Sequence, residues 1–201
     1  MKIDLISPIP IGSFQNSDFS EHQQFLNLKY NPTLDGLQSD DTYVLESYAP
    51  KLKEWIQNCI QQYVKNCLAS TQKLKITQSW CIKHEGTTSR LHQHKHPNSF
   101  ISGAYYIKCT QESNGITFFS NSLLSDNQFE WEKNQNLLMS QHWLWREYPY
   151  QICEGKLIVF PSNLMHYVRE SNIQDYRCVL SFNTWFDGNI GTPRLLTELK
   201  Q

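Results

Sequence analysis

Three of the chain's seven histidines fall within five residues, in Arg90-Leu-His92-Gln-His94-Lys-His96-Pro-Asn-Ser. If that stretch is extended, alternate side chains share a face, so His92, His94 and His96 point the same way. Imidazoles two residues apart on a strand can reach one metal ion, and neutral imidazole is the commonest protein ligand for iron, zinc, copper and nickel. A third ligand from a distant strand would complete a facial set with open positions. His166, in Phe160-Pro-Ser-Asn-Leu-Met-His166-Tyr-Val, is the best candidate, because Leu164, His166 and Val168 would share an inward face. The competing account makes the triplet a polar loop before a strand and His166 a hydrogen-bonded core residue. His22, His84 and His142 show no such grouping and are expected at the surface or around a site. Eleven positions beyond His166, Arg177 opens an alternating strand in which Val179, Ser181, Asn183 and Trp185 share its face. A guanidinium beside a metal suits a buried carboxylate, through two charge-assisted hydrogen bonds worth about 1.5–3 kcal/mol each. A surface arginine capping the strand is the plainer alternative.

These residues need a scaffold, and 201 residues with 39% hydrophobic and 13% aromatic content supply a core for one domain. The low mean hydropathy of -0.54 owes much to 15 Asn and 17 Gln, not to a disordered composition. A net charge of -1, without a block of Lys or Arg, gives no footprint for nucleic acid or anionic lipid. Asp4, Pro8 and Pro10 interrupt any apolar signal-peptide core, and no run reaches the length of a membrane span. The six cysteines form no C-x-x-C pair and read as reduced core residues of a cytoplasmic protein. No residue fixes an oligomeric state, although an edge strand could pair into a homodimer.

The first seventy residues read as helical where regular: a short helix near Phe19 to Leu28, a polar loop, then Pro50 in the first turn of a long amphipathic helix to Leu68. From residue 74 the period becomes two. Strand-like runs cover Leu74 to Lys83, Phe100 to Cys109, Gly115 to Ser120, Leu137 to Tyr148, Leu157 to Pro161, Leu164 to Arg169 and Arg177 to Phe186. That order predicts helical support over 1–72, a β core over 73–190 and a tail over 191–201. The core is an antiparallel sandwich or barrel braced by the N-terminal helices; no G-x-G-x-x-G or G-K-[ST] supports a nucleotide-binding fold.

The motifs taken together resemble the 2OG-Fe(II) oxygenase family of phage and bacterial proteins, within the Fe(II)/2-oxoglutarate-dependent dioxygenases. Its pattern H-x-H-x-x-S-x-x-S-G-x-Y-Y reads here His94-Lys-His96-Pro-Asn-Ser99-Phe-Ile-Ser102-Gly103-Ala-Tyr105-Tyr106. Gly115-Ile-Thr-Phe-Phe119, the segment Gly155 to His166 and Arg177-Cys-Val-Leu-Ser-Phe-Asn183 follow in the family's order. The resemblance implies a mainly β protein with N-terminal helices: a double-stranded β-helix, the cupin-like jelly roll, braced by a long amphipathic helix. It implies Fe(II), 2-oxoglutarate as cosubstrate and O2, with His94 and His166 as ligands. Position 96 corresponds to the family's usual metal-binding carboxylate; here His96 either makes a three-histidine site or leaves that position to water. Arg177 matches the arginine that binds the distal carboxylate of 2-oxoglutarate, and Tyr106 the tyrosine that supports it. Ser102, which shares an inward face with Ala104 and Tyr106, and Ser181 and Asn183 are further candidate pocket contacts. The implied reaction couples oxidative decarboxylation of 2-oxoglutarate to hydroxylation of a small-molecule or peptide substrate, in a cytoplasm that for a phage protein is the host's. Two alternatives stay open: a zinc hydrolase or lyase, for which Arg177 has no use, and a metal-binding jelly roll without turnover. The segment Asn121 to Leu138 could cover the mouth, and Phe129, Trp131, Trp143 and Trp145 could line a binding cleft, although aromatic residues between strands are more often core.

Overall fold

The computed structural model describes residues 8–86, 90–110, 114–119, 147–170 and 175–200. Its longest strands are those with the cleanest alternation. β1 (Gly12–Gln15), β2 (Tyr30–Thr33), β3 (Gly36–Ser39), β4 (Leu74–Gly86), β6 (Ile101–Cys109), β9 (Lys156–Pro161) and β11 (Asp175–Phe186) form a seven-stranded antiparallel sheet in the order β1-β9-β6-β11-β4-β3-β2. β5 (Leu91–His94), β7 (Ile116–Phe119), β8 (Glu147–Pro149) and β10 (His166–Val168) form a second antiparallel sheet in the order β5-β10-β7-β8. Two antiparallel sheets with these crossovers are the expected jelly-roll arrangement.

The large sheet is apolar on both faces, and each face has its own core. On the outer side lie α1 (His22–Leu26), α2 (Val44–Tyr48) and α3 (Pro50–Cys67). α3 buries Leu52, Ile56, Cys59, Ile60, Tyr63 and Val64 in one cluster with Tyr105 and Ile107 of β6 and Cys178, Leu180 and Phe182 of β11. Pro50 sits in its first turn, and the Glu21 carboxylate accepts the N–H groups of Lys51 and Leu52 there, satisfying donors that a helix start leaves open. The inner core gathers Ala104, Tyr106, Ile116, Phe118, Ile158, Phe160 and Leu164. β6 and β11 therefore divide their side chains as the period of two predicts: Ser102, Ala104 and Tyr106 inward, Ile101, Tyr105 and Ile107 toward the helix.

The expectation of a purely helical lead is corrected. β1 and the β2–β3 hairpin extend the large sheet at both edges, and they escaped the periodicity because each strand is four residues long. Pro32 is tolerated because β2 is the outermost strand. Of the expected strand Leu137 to Tyr148, only β8 is described; Asn121 to Leu138, Phe129, Trp131, His142, Trp143 and Trp145 lie outside the described residues. None of the six cysteines is in a disulfide, but only Cys59, Cys81 and Cys178 are buried, while Cys67 and Cys153 are exposed.

His22 is also internal, contrary to expectation. Its Nε2 accepts the Tyr105 hydroxyl proton at 2.7 Å, while the Asn16 amide donates to the same oxygen at 3.2 Å. Burial pushes its pKa below the usual imidazole value, the Glu154 carboxylate opposing. An imidazole that resists protonation only when folded contributes stability above its unfolded pKa near 6.5, and loses it as the pH falls below that value. The urea midpoint is expected to fall more steeply between pH 7 and pH 5 in the wild type than in His22→Gln; parallel curves would show that His22 titrates normally. Gly103 is a second sensitive point, since an added Cβ would lie 2.3 Å from Cζ of the fully buried Phe182. Gly103→Ala should lower Tm by about 2–12 °C, the usual range for overpacking in a chain of this size, and Phe182→Leu should restore part of that loss.

Candidate metal centre

β10 runs between β5 and β7, and its ladders set His166 opposite His94 on one side and Phe118 on the other. His96 lies two residues beyond β5. Its main-chain N–H donates to the Ser162 carbonyl at 2.9 Å, which turns the chain toward the large sheet. Asn98 completes the turn with φ 56°, a conformation asparagine tolerates better than most residues. The three imidazoles converge from two neighbouring strands of the small sheet and the turn that follows β5, with candidate donor atoms within 4.8 Å of one another.

Every ring has its Nδ1 against an oxygen. His94 Nδ1–H donates to the His92 carbonyl at 2.7 Å, His166 Nδ1–H to the Leu164 carbonyl at 2.8 Å, and His96 Nδ1–H to Asn183 Oδ1 at 2.7 Å. With the proton on Nδ1, the lone pair of each neutral ring is on Nε2. Burial lowers the pKa of His96 to about 4 and of His166 to about 3, so both are neutral near pH 7. Yet their Nε2 atoms stand 3.2 Å apart. Two lone pairs at that distance repel unless a cation lies between them. Two nitrogens bound at about 2.0–2.1 Å in tetrahedral or octahedral geometry sit about 2.9–3.4 Å apart. The donor set therefore fits a divalent ion, and histidine in place of the usual carboxylate makes it a set of three imidazoles.

A cavity of about 230 Å³ opens on these rings. Ile116, Phe160, Val168 and Val179 form apolar wall, and Tyr106, Arg177 and Ser181 supply polar groups. Arg177 is 1% exposed, and one guanidinium N–H donates to the Asn114 carbonyl. The Tyr106 hydroxyl accepts the Ile116 N–H at 3.1 Å, and burial pushes its pKa up to about 12, so it stays protonated. Ser102 and Asn183 are not on the cavity wall. Ser102 is fully buried beside Asn183 Oδ1, to which it donates at 2.9 Å, and Ser162 Oγ, 2.8 Å away. Both residues stand behind His96 and brace it.

Four further side chains of the wall went unrecognised in the sequence: Asp35, Gln38, Trp80 and His84. Trp80 stacks on His96 at 5.8 Å. Trp80, Ile82 and His84 share the inner face of β4, so alternation carried the signal for His84, a residue the sequence places at the surface or around a site. Asp35 had no local signal; it comes from the turn between β2 and β3, and its carboxylate meets His92, the third member of the triplet. Burial raises the Asp35 pKa, but the His92 main-chain N–H and imidazole outweigh it and hold the carboxyl below its usual range.

The sequence model of the family described as "Putative 2OG-Fe(II) oxygenase" matches residues 78–183. No curated protein matches the chain. Among solved structures, HygX from Streptomyces hygroscopicus with nickel and 2-oxoglutarate bound superposes with a TM-score of 0.59 at 10% identity, over 88% of this chain and 82% of that one. The 2-oxoglutarate-dependent carbocyclase SnoK of nogalamycin biosynthesis gives 0.60 at 10%, over 90% and 81%. An oxidoreductase of the 2OG-Fe(II) oxygenase family from Burkholderia pseudomallei gives 0.56 at 11%, over 83% and 76%. At such identities these likenesses establish the shared jelly-roll fold.

The bracing of His96 is directly testable. Asn183→Ala removes the acceptor that fixes its tautomer and should weaken Co(II) binding to the metal-free protein about 10- to 100-fold, the usual effect of losing such a partner. Unchanged affinity in a variant that melts like wild type would mean that His96 is not a ligand.

Proposed function

Because the chain belongs to the 2OG-Fe(II) oxygenase family and is an Fe(II)- and 2-oxoglutarate-dependent oxygenase, we propose that His94, His96 and His166 hold its iron and Arg177 the far carboxylate of 2-oxoglutarate. With both bound, the centre supplies O2-dependent decarboxylation of 2-oxoglutarate coupled to oxidation of a substrate. The observation that carries the assignment is one cavity lined by all three imidazoles and by Arg177. On β11 its wall runs from Arg177 through Val179 to Ser181, one alternate position short of the Asn183 that braces His96.

Each residue then has a defined task. The histidines present fixed Nε2 lone pairs. Arg177 offers N–H donors to a carboxylate in a site walled from water, where a charge-assisted pair is strongest. The Tyr106 hydroxyl, accepting from Ile116, keeps its proton to donate, and Ser181 adds a hydroxyl on the same face. Apolar walls limit the water that would otherwise compete for the metal and the acid.

The substrate we propose is a small molecule and the outcome hydroxylation. One solved HygX complex holds hygromycin B beside nickel and 2-oxoglutarate, which supports a small-molecule substrate for this fold. SnoK and SnoN are described as a carbocyclase and an epimerase, so fold alone does not set the fate of the oxidised carbon. Six cysteines outside any disulfide support a reducing, cytoplasmic location; among the described residues, no helix is long and apolar enough to cross a membrane.

The test is an anaerobic titration of metal-free protein with Fe(II) and 2-oxoglutarate, followed by the visible charge-transfer band of chelated 2-oxoglutarate. A saturable band is expected in the wild type and none in His94→Ala or His166→Ala. Arg177→Ala should raise the 2-oxoglutarate concentration for half-saturation by about 10-fold or more, as loss of at least one charge-assisted hydrogen bond implies. An unchanged requirement would remove Arg177 from the cosubstrate site; no wild-type band, with tight Zn(II) binding, would favour a zinc enzyme.

A further inference from the structure

We propose that Asp35 is a positioning residue for the metal centre: by holding His92 it fixes the carbonyl that sets the His94 imidazole. The inference rests on His94 being a metal ligand, and it concerns a residue outside the segment that matches the family. Asp35 Oδ1 accepts two hydrogen bonds from His92, from the ring Nδ1–H at 2.5 Å and from the main-chain N–H at 3.0 Å. The carbonyl of the same His92 accepts His94 Nδ1–H at 2.7 Å. One carboxylate oxygen thus grips both the ring and the backbone of the residue that fixes the His94 tautomer.

The need for such a grip follows from the topology. β5 is an edge strand of four residues, and its register with β10 is irregular between the His94 and Leu91 pairings. His92 lies inside that irregular stretch, and its N–H goes to Asp35 instead of to a neighbouring strand. Edge strands leave such groups open, and here a carboxylate covers one.

Asp35 is delivered from a fixed base. Leu34 and Asp35 form the two-residue turn between β2 and β3. Thr33 Oγ1 accepts the Asp35 N–H at 3.2 Å and donates to the Gly36 carbonyl at 2.8 Å. Gly36 has φ +113°, and a Cβ there would stand 2.6 Å from the Lys83 carbonyl. That close approach holds the hairpin against β4, where Leu37 pairs with Lys83 and Gln38 with Ile82. The contact is partly exposed, with side-chain exposures of 52% for His92 and 34% for Asp35. Pairs of that kind add little to global stability, so their loss should register at the metal centre before it registers in Tm.

Co(II) affinity of the metal-free full chain tests this, together with the ring-nitrogen tautomer of His94 read by long-range nitrogen–proton NMR. Asp35→Ala should weaken Co(II) binding about 3- to 10-fold, toward the low end of what partners of metal ligands contribute, and reduce the population of His94 protonated at Nδ1. Asp35→Asn keeps an oxygen that can accept both N–H groups and should stay within about 2-fold of wild type. Leu34→Ala, at an exposed position in the same turn, should change neither readout. Wild-type affinity and tautomer in Asp35→Ala would overturn the proposal, as would equal losses in Asp35→Asn and Asp35→Ala. Failure of the wild type itself to bind Co(II) would instead remove the metal assignment on which the proposal stands.

Discussion

The metal centre depends on one constraint: a neutral imidazole has a single ring lone pair, so it can offer Nε2 only if Nδ1–H is given to an oxygen elsewhere. The chain meets this requirement three times. His94 and His166 use the same local device, folding the ring back onto the carbonyl two residues earlier, His92 or Leu164. His96 lies in the turn after β5 and takes its oxygen from the opposite sheet, on Asn183. An amide suits that place, since it accepts as a carboxylate would without adding a buried negative charge. The tautomer of His96 is thus a tertiary property, and those of His94 and His166 are largely local.

Burying that polar apparatus between two apolar cores has a cost, because an unpartnered buried hydroxyl or amide costs about 1–3 kcal/mol. The structure offsets it by closing the groups on one another. Ser99, Ser102 and Ser162 exchange hydrogen bonds, Ser102 also donates to Asn183, and Thr184 Oγ1 donates to the Ile101 carbonyl at 2.7 Å. These residues join β6, β11 and the chain after β9 at the point where the His96 turn crosses between the sheets. Low dielectric there also keeps His96 and His166 neutral, which preserves their lone pairs for a cation.

Much of this was legible in the residues, and the limits have physical causes. α3, β6 and β11 are long enough for their periods to show which side chains face which core, and the H-x-H spacing with a distant His166 identified all three converging imidazoles. Alternation places a side chain on a face but does not say what lies over it. Ser102 and Asn183 do face inward, yet the His96 turn covers them, so they brace a ring instead of lining the cavity. β1, β2 and β3 are too short to show a period. Asp35 reaches His92 across a sequence separation of 57, through a hairpin whose location depends on the approach of Gly36 to Lys83, a contact no local pattern encodes.

Histidine at position 96 also changes the electrostatics of the cavity. Three imidazoles leave the full charge of a divalent ion in place, where a carboxylate ligand would cancel one unit. A dicarboxylate held by Arg177 in that cavity would then meet a field one unit more positive, which would strengthen its attraction, while the ion itself would be held by neutral donors alone. Among the described residues the carboxylate on the cavity wall is that of Asp35, which acts on His94 through His92 at a partly exposed site where solvent weakens its field. Its stronger influence is therefore geometric, through the carbonyl it holds in place. A centre of neutral ligands keeps its ion by the alignment of lone pairs more than by charge, and so depends heavily on the oxygens that align them.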